Sequence, residues 1–210
     1  MNINPRRPVS LLLVALACVA IVIAQQGGAK PPPLRMIHYH GDMAGLLATF
    51  AEDYGVIIGL EADPRKPKPE VTIDLRDATL RDILNGVVES EPRYQWRESG
   101  GYIEVFPTSG SSILLDTPVA SFQVKDVRRG EAINQLMSLP EVQALVISMS
   151  LKLRPAGPSP TRTKDEKFSL NLNGVTLRQA MQRIVKESGA RFWMFRTHDD
   201  GSFSIGTDYR

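Results

Sequence analysis

Cysteine is almost missing from this sequence: Cys18 is the single one in 210 residues. A lone thiol excludes an intrachain disulfide, so stability must come from buried apolar surface. Net charge is small as well. The formal value is +2, and Arg6 and Arg7 account for it; the remainder holds 23 basic residues (25 less these two) against 23 acidic ones. A chain balanced in this way exerts no long-range pull on nucleic acid or anionic lipid. Signatures of chemistry are absent too: there is no glycine-rich phosphate loop, no Walker lysine, no Gly-x-Ser-x-Gly elbow and no His-Glu-x-x-His. These absences set the expectation of a protein that is not an enzyme, uses no cofactor and binds no nucleic acid.

Long apolar runs are confined to the start. Residues 1–24 open with Arg6 and Arg7 and continue through "LLLVALACVAIVIA", the pattern of a secretory signal peptide, with cleavage expected near Ala24 and export as the consequence. An uncleaved inner-membrane anchor over residues 9–24 is the alternative, though that run is short of the ~20 residues a span needs. Lipidation at Cys18 ranks third, because Ala15 stands where a lipobox wants Leu and the apolar run continues past the Cys. Residues 25–35, "QQGGAKPPP" and its flanks, read as a spacer, flexible and then stiff.

What is present is a repeat. "VTIDLRDATLRDILNGVVESEPRYQW" at 71–96 aligns without gaps over "FSLNLNGVTLRQAMQRIVKESGARFW" at 168–193. Val71, Ile73 and Leu75 alternate with polar residues, as do Phe168, Leu170 and Leu172, and period two marks a half-buried strand. The period then changes. Leu80, Ile83, Leu84, Val87 and Val88 give one helical stripe; Leu177, Ala180, Met181, Ile184 and Val185 give its copy. Thr79 with Asp82, and Thr176 with Gln179, stand at capping-box spacing before each stripe, and replacing either Thr by Ala is expected to cost about 1 kcal/mol. Arg81 and Arg178 oppose the helix dipole in the first turn, so each needs a compensating carboxylate or a sheet surface for its stem.

Each helix is followed by two strands, "YQWRE" and "YIEVF" or "RFWMFR" and "FSIGT". Each is preceded by a half-unit. The first has "MIHYH", Asp42 as N-cap, a stripe of Leu46, Leu47, Phe50 and Tyr54, then "VIIGLE"; the second has "ASFQVKD", Asp126 as cap, a stripe of Ala132, Ile133, Leu136 and Met137, then "ALVISMSLKL" as a strand. The order β-α-β-β-α-β-β therefore occurs twice. The fold class is α+β: two tandem small domains, 36–107 and 119–210, each with two helices on one face of a small mixed sheet, joined by a linker at 108–118. The inner connections "ADPRKPKPE" and "RPAGPSPTRTKDEK" read as exposed loops.

Candidate sites are few. His38 and His40 alternate on one strand face with Asp42 nearby, a weak metal-ligand set whose alternative reading is an exposed strand beside a helix cap. A metal-dependent hydrolase built on these three is the rival function; a membrane-tethered spacer is another. His198 lies in the turn composition "HDDG", and Glu89 and Glu91 end a helix on its polar side, where solvation is expected. Tyr94 with Trp96, and Trp193 with Phe195, are expected to pack in cores. Small open sheets leave edges, and the candidate interface strands are "MIHYH", with Ile37 and Tyr39, and "FSIGT", with Phe203 and Ile205.

The strand–"TLR"–helix–strand–strand pattern of 71–107, and "FQVKDVRRGEAINQLM" with "FSLNLNGVTLRQAMQRIV", resemble the short N-terminal domain of secretins and TonB-dependent transducers, in two copies. The resemblance implies a periplasmic, non-enzymatic module whose partner is an envelope protein, or another copy met by sheet edges, with the membrane touched only through the leader. The sequence ends at Arg210 without a stretch that would supply a secretin barrel, so pore formation is not expected.

Overall fold

The repeat decides where each element falls. In the computed structural model, residues 34–63, 69–154, 166–198 and 200–207 are described. The expected signal peptide, nearly all of the spacer, Asp199 and most of both proline-rich loops lie outside the described residues. In chain order the elements are β1 (Leu34–Asp42), α1 (Met43–Asp53), β2 (Ile57–Ala62), β3 (Glu70–Ala78), α2 (Leu80–Ser90), β4 (Tyr94–Ser99) and β5 (Tyr102–Pro107). A 3-10 turn at Ile113–Asp116 leads into β6 (Pro118–Val127), α3 (Arg129–Met137), α4 (Pro140–Ser148), β7 (Lys152–Leu153), β8 (Phe168–Thr176), α5 (Leu177–Glu187), β9 (Phe192–Thr197) and β10 (Ser202–Gly206). The class is α+β with mixed sheets. Among the described residues no helix is long and apolar enough to cross a membrane.

Helix starts follow local chemistry. Thr79 accepts from the Asp82 N–H, and the Asp82 carboxylate accepts from the Thr79 N–H at 2.8 Å. Thr176 and Gln179 repeat this box at the head of α5. Two residues before these caps the backbone turns left-handed, at Asp77 (φ 49°) and its aligned partner Gly174 (φ 62°). Asp126 (φ 53°) holds the same place before α3, so its expected capping role is replaced: Arg128 is the N-cap, and the Asp126 carboxylate pairs with Lys167 at 2.8 Å. Small polar residues and glycine tolerate that conformation best.

Topology departs from two separate sheets. β1 with β3, and β6 with β8, form two antiparallel ribbons, while one six-stranded sheet runs in the order β4-β5-β2-β9-β10-β7. Each half contributes three strands in the same repeat order, and the halves meet where β2 pairs parallel with β9, Gly59 opposite Trp193. Side chains alternate across this sheet. Ile58, Leu60, Ile103, Val105 and Phe192 face one core with α1, α2, Ile37, Val71 and Ile73. Ile57, Trp193, Phe195, Phe203 and Ile205 face the other, with α3, α5, Phe122 and Leu172. Leu177, Met181 and Ile184 are fully buried. Thus each half covers a different face of a shared sheet, and residues 32–210 form one compact unit. Leu114 and Leu115, in the expected linker, are fully buried in the second core.

The region "ALVISMSLKL" is not a strand. Pro140 occupies the first turn of α4, where its fixed φ suits a helix, and only Lys152 and Leu153 remain extended.

Candidate functional site: sheet edges and a buried strand junction

β2 is buried along its whole length, yet its sequence includes a glycine and a glutamate. Both are explained by what α5 and β9 place over it. A Cβ on Gly59 would lie 2.6 Å from Cε2 of Trp193, so the strand passes beneath an indole that is itself 1 % exposed. Two residues on, Glu61 is 5 % exposed and receives Arg178 of α5 at 3.2 Å. Arg178 also reaches Asp116 at 3.4 Å and hydrogen-bonds Ser111, while the Glu61 carboxylate accepts from the Ser111 hydroxyl and the Ser112 N–H. One turn along α5, Gln182 donates to Glu104 of β5 at 2.6 Å, and Arg97 of β4 closes on the same carboxylate. Buried carboxylates therefore find cations and amides, as burial demands.

The first half carries the aligned set: Arg81 for Arg178, Asn85 for Gln182, Trp96 for Trp193. Here no strand passes beneath the indole among the described residues. The Arg81 guanidinium lies over the half-buried Trp96 ring at 5.5 Å, and Asn85 accepts from the Trp96 indole at 3.0 Å. β4 is the end strand of the sheet among the described residues.

The edges can be read from ladder alternation. The Thr72 N–H is taken by Ser90 Oγ at 2.8 Å, so Thr72 faces His40 across a non-hydrogen-bonded pair, and so by alternation do Asp74 with His38 and Arg76 with Met36. The backbone groups of Met36, His38 and His40 therefore point away from β3. Their side chains are exposed, Met36 at 66 %. Ile37 and Tyr39, the candidate interface residues of this strand, turn inward instead: Ile37 is buried and Tyr39 half-buried, its hydroxyl on the Asp42 carbonyl.

Other candidates are placed as follows. His40 Nδ1 lies 2.9 Å from Thr72 Oγ1, His38 Nδ1 lies 3.9 Å from Asp74, and Asp42 caps α1 by accepting from the Gly45 N–H. Among the described residues no three His, Cys, Asp or Glu side chains form a metal-holding group. The C-terminal candidate edge is corrected: Phe203 and Ile205 are buried, and β7 pairs with β10 at Ser202 and Phe203, so β10 is an interior strand. Glu91 is also corrected, from solvated to buried, because Arg93 folds back onto its carboxylate and is held further in its charged form. Sequence reasoning passed over Gly59, Glu61 and Glu104. The signal was there: a glycine inside a strand marks a close approach, and a glutamate in an apolar strand requires a buried partner. No family model, curated protein or solved structure matches this chain.

Proposed function

We propose that the chain is an exported, non-enzymatic protein–protein interaction module of the cell envelope, serving a secretion, pilus or uptake assembly through its sheet edges. The observation that carries this reading is the β1 edge, whose outward row of backbone donors and acceptors at Met36, His38 and His40 belongs to solvent-facing residues. Such an edge accepts an extended strand. The apolar leader and the resemblance to secretin N-terminal domains support the envelope location.

The test is photo-crosslinking in whole cells of the producing species, with the photoreactive residue at position 36 and the chain's cleavage state read by mass spectrometry. An adduct with an envelope polypeptide, lost in His38→Pro, is the expected result. Proline there removes an outward N–H and spares the ladder to β3. A chain retained in the cytoplasm, or an adduct indifferent to His38→Pro, would overturn the reading.

A further inference from the structure

We infer that the outer edge of β4, with Trp96 and Arg81 beside it, is a docking site for an extended peptide that pairs parallel to β4. The peptide carries a glycine opposite Trp96 and an acidic residue two places on, within an otherwise apolar stretch. This names one edge and one ligand chemistry for the interaction function proposed above, and it rests on that reading.

The argument is that the protein holds two copies of one receptor and fills one of them itself. In the second half, the receptor is β9 with Trp193 and Arg178, and the occupant is β2. Ile58 donates to the Arg191 carbonyl at 2.8 Å, so the row that β9 turns toward β2 is Arg191, Trp193 and Phe195. In the first half, Thr108 donates to the Arg93 carbonyl at 2.8 Å. Gln95, Arg97 and Ser99 therefore face β5, and Trp96 and Glu98 turn their backbone groups outward, the positions aligned with Trp193 and Phe195. An incoming strand meets the same geometry of donors and acceptors that β2 meets, and hence the same parallel orientation.

Side chains read the occupant. Trp193 leaves no room for a Cβ at Gly59, so the aligned Trp96 demands the same of its ligand once the indole lies over it. Arg178 binds Glu61, two residues beyond that glycine, and Arg81 is its aligned counterpart. Arg81 makes no ion pair among the described residues; its charge rests on the Trp96 ring. Glu98 would stand beside the incoming acid, but Arg178 already holds two carboxylates, Glu61 and Asp116, and Arg81 can serve a pair in the same way. Where β9 carries Phe192, Met194 and Phe195, β4 carries Gln95, Arg97 and Glu98. That polarity protects an open edge and makes the docking reversible, unlike the sealed junction.

The experiment uses the whole chain and a fluorescent peptide with the sequence of residues 56–63, "VIIGLEAD", followed by anisotropy. Saturable binding is expected, with the Trp96 indole N–H resonance shifting on titration. A peptide with Val in place of its Gly should bind about tenfold more weakly or worse, the loss that about 1.4 kcal/mol of clash produces. Replacing its Glu by Lys should weaken binding to the unaltered chain and be rescued by Arg81→Glu. Glu98→Pro, which removes an outward donor without touching the ladder to β5, should abolish binding while circular dichroism is unchanged. Equal affinity for the Gly and Val peptides, or for the Glu and Lys peptides, would overturn the inference. So would self-association of the chain through this edge in ultracentrifugation, reversed by Glu98→Pro, since the occupant would then be a second copy. Envelope capture at position 36 that persists while the peptide fails to bind would remove this site and leave the wider function standing; peptide binding without any envelope partner would do the reverse.

Discussion

Substituting Gly59 by Ala tests whether the junction between the halves is as tight as its geometry states. The new methyl would lie 2.6 Å from Cε2 and Nε1 of Trp193 and 2.7 Å from Cζ2. Comfortable carbon contacts begin at about 3.5 Å, so either the indole or β2 must move by roughly 1 Å. The ring is rigid and 1 % exposed, and β2 is pinned on both sides by β5 and β9. Overpacking of this kind costs about 1–3 kcal/mol. Against it stands the about 0.5–1 kcal/mol that alanine gains over glycine inside a strand, so a net loss of about 1–2 kcal/mol is expected. Urea denaturation followed by circular dichroism reads the value as a lower midpoint at unchanged slope. The decisive measurement is the same substitution in a Trp193→Ala background, where the clash is gone and alanine should become neutral or favourable. A loss of equal size in both backgrounds would refute the reasoning, because the cost would then come from the strand and not from the indole.

Two further outcomes follow from the buried polar groups. Arg178→Met alone leaves the Glu61 carboxylate buried without its cation, both side chains being 6 % exposed, and should cost about 3–5 kcal/mol, whereas replacing Arg178 by Met and Glu61 by Leu together recovers most of it; a loss below about 1 kcal/mol for Arg178→Met in the same urea assay would contradict the geometry. Tyr94 is buried, which raises its pKa above 10.0, and its hydroxyl accepts from the Asp63 N–H at 2.8 Å. The folded state thus favours the neutral phenol, its contribution is whole below the ordinary tyrosine pKa and falls as pH rises toward the raised one, and Tyr94→Phe should show a shallower alkaline loss of stability than the unaltered chain.

What could be read from the sequence was what neighbours in the chain decide. The Thr79 and Thr176 boxes are settled within four residues, and the stripes of α2 and α5 declare the buried face without knowledge of what covers it. The α4 region was misread because a continuous apolar run fits strand and helix alike, and Pro140 was the deciding residue: it suits a helix start and no strand interior. The sharing of one sheet was out of reach, since Ile58 and Phe192 pair across most of the chain and no local pattern announces a parallel partner. The candidate edges divided for the same reason. β1 keeps its outward row because its ribbon has no third strand among the described residues, whereas β10, already paired with its hairpin neighbour β9, is met on its other side by β7 from far back in the sequence. Arg81 and Arg178 show the limit most plainly: each follows the same Thr-Leu pair at a helix start, yet one lies on an aromatic face and the other in a buried carboxylate cage.

The parallel pairing of β2 with β9 also constrains time. A chain made from its first residue completes α1, α2 and the strands of the leading half long before residues 192–196 exist, and during that interval Ile58, Leu60 and Ala62 form an apolar border with no neighbour. Contacts of such long range form late, and an uncovered strand of this composition joins to whatever chain is near. A product that stops before β9 should therefore aggregate and not fold as a smaller version of the whole: the duplication is written in halves, but it matures only as one.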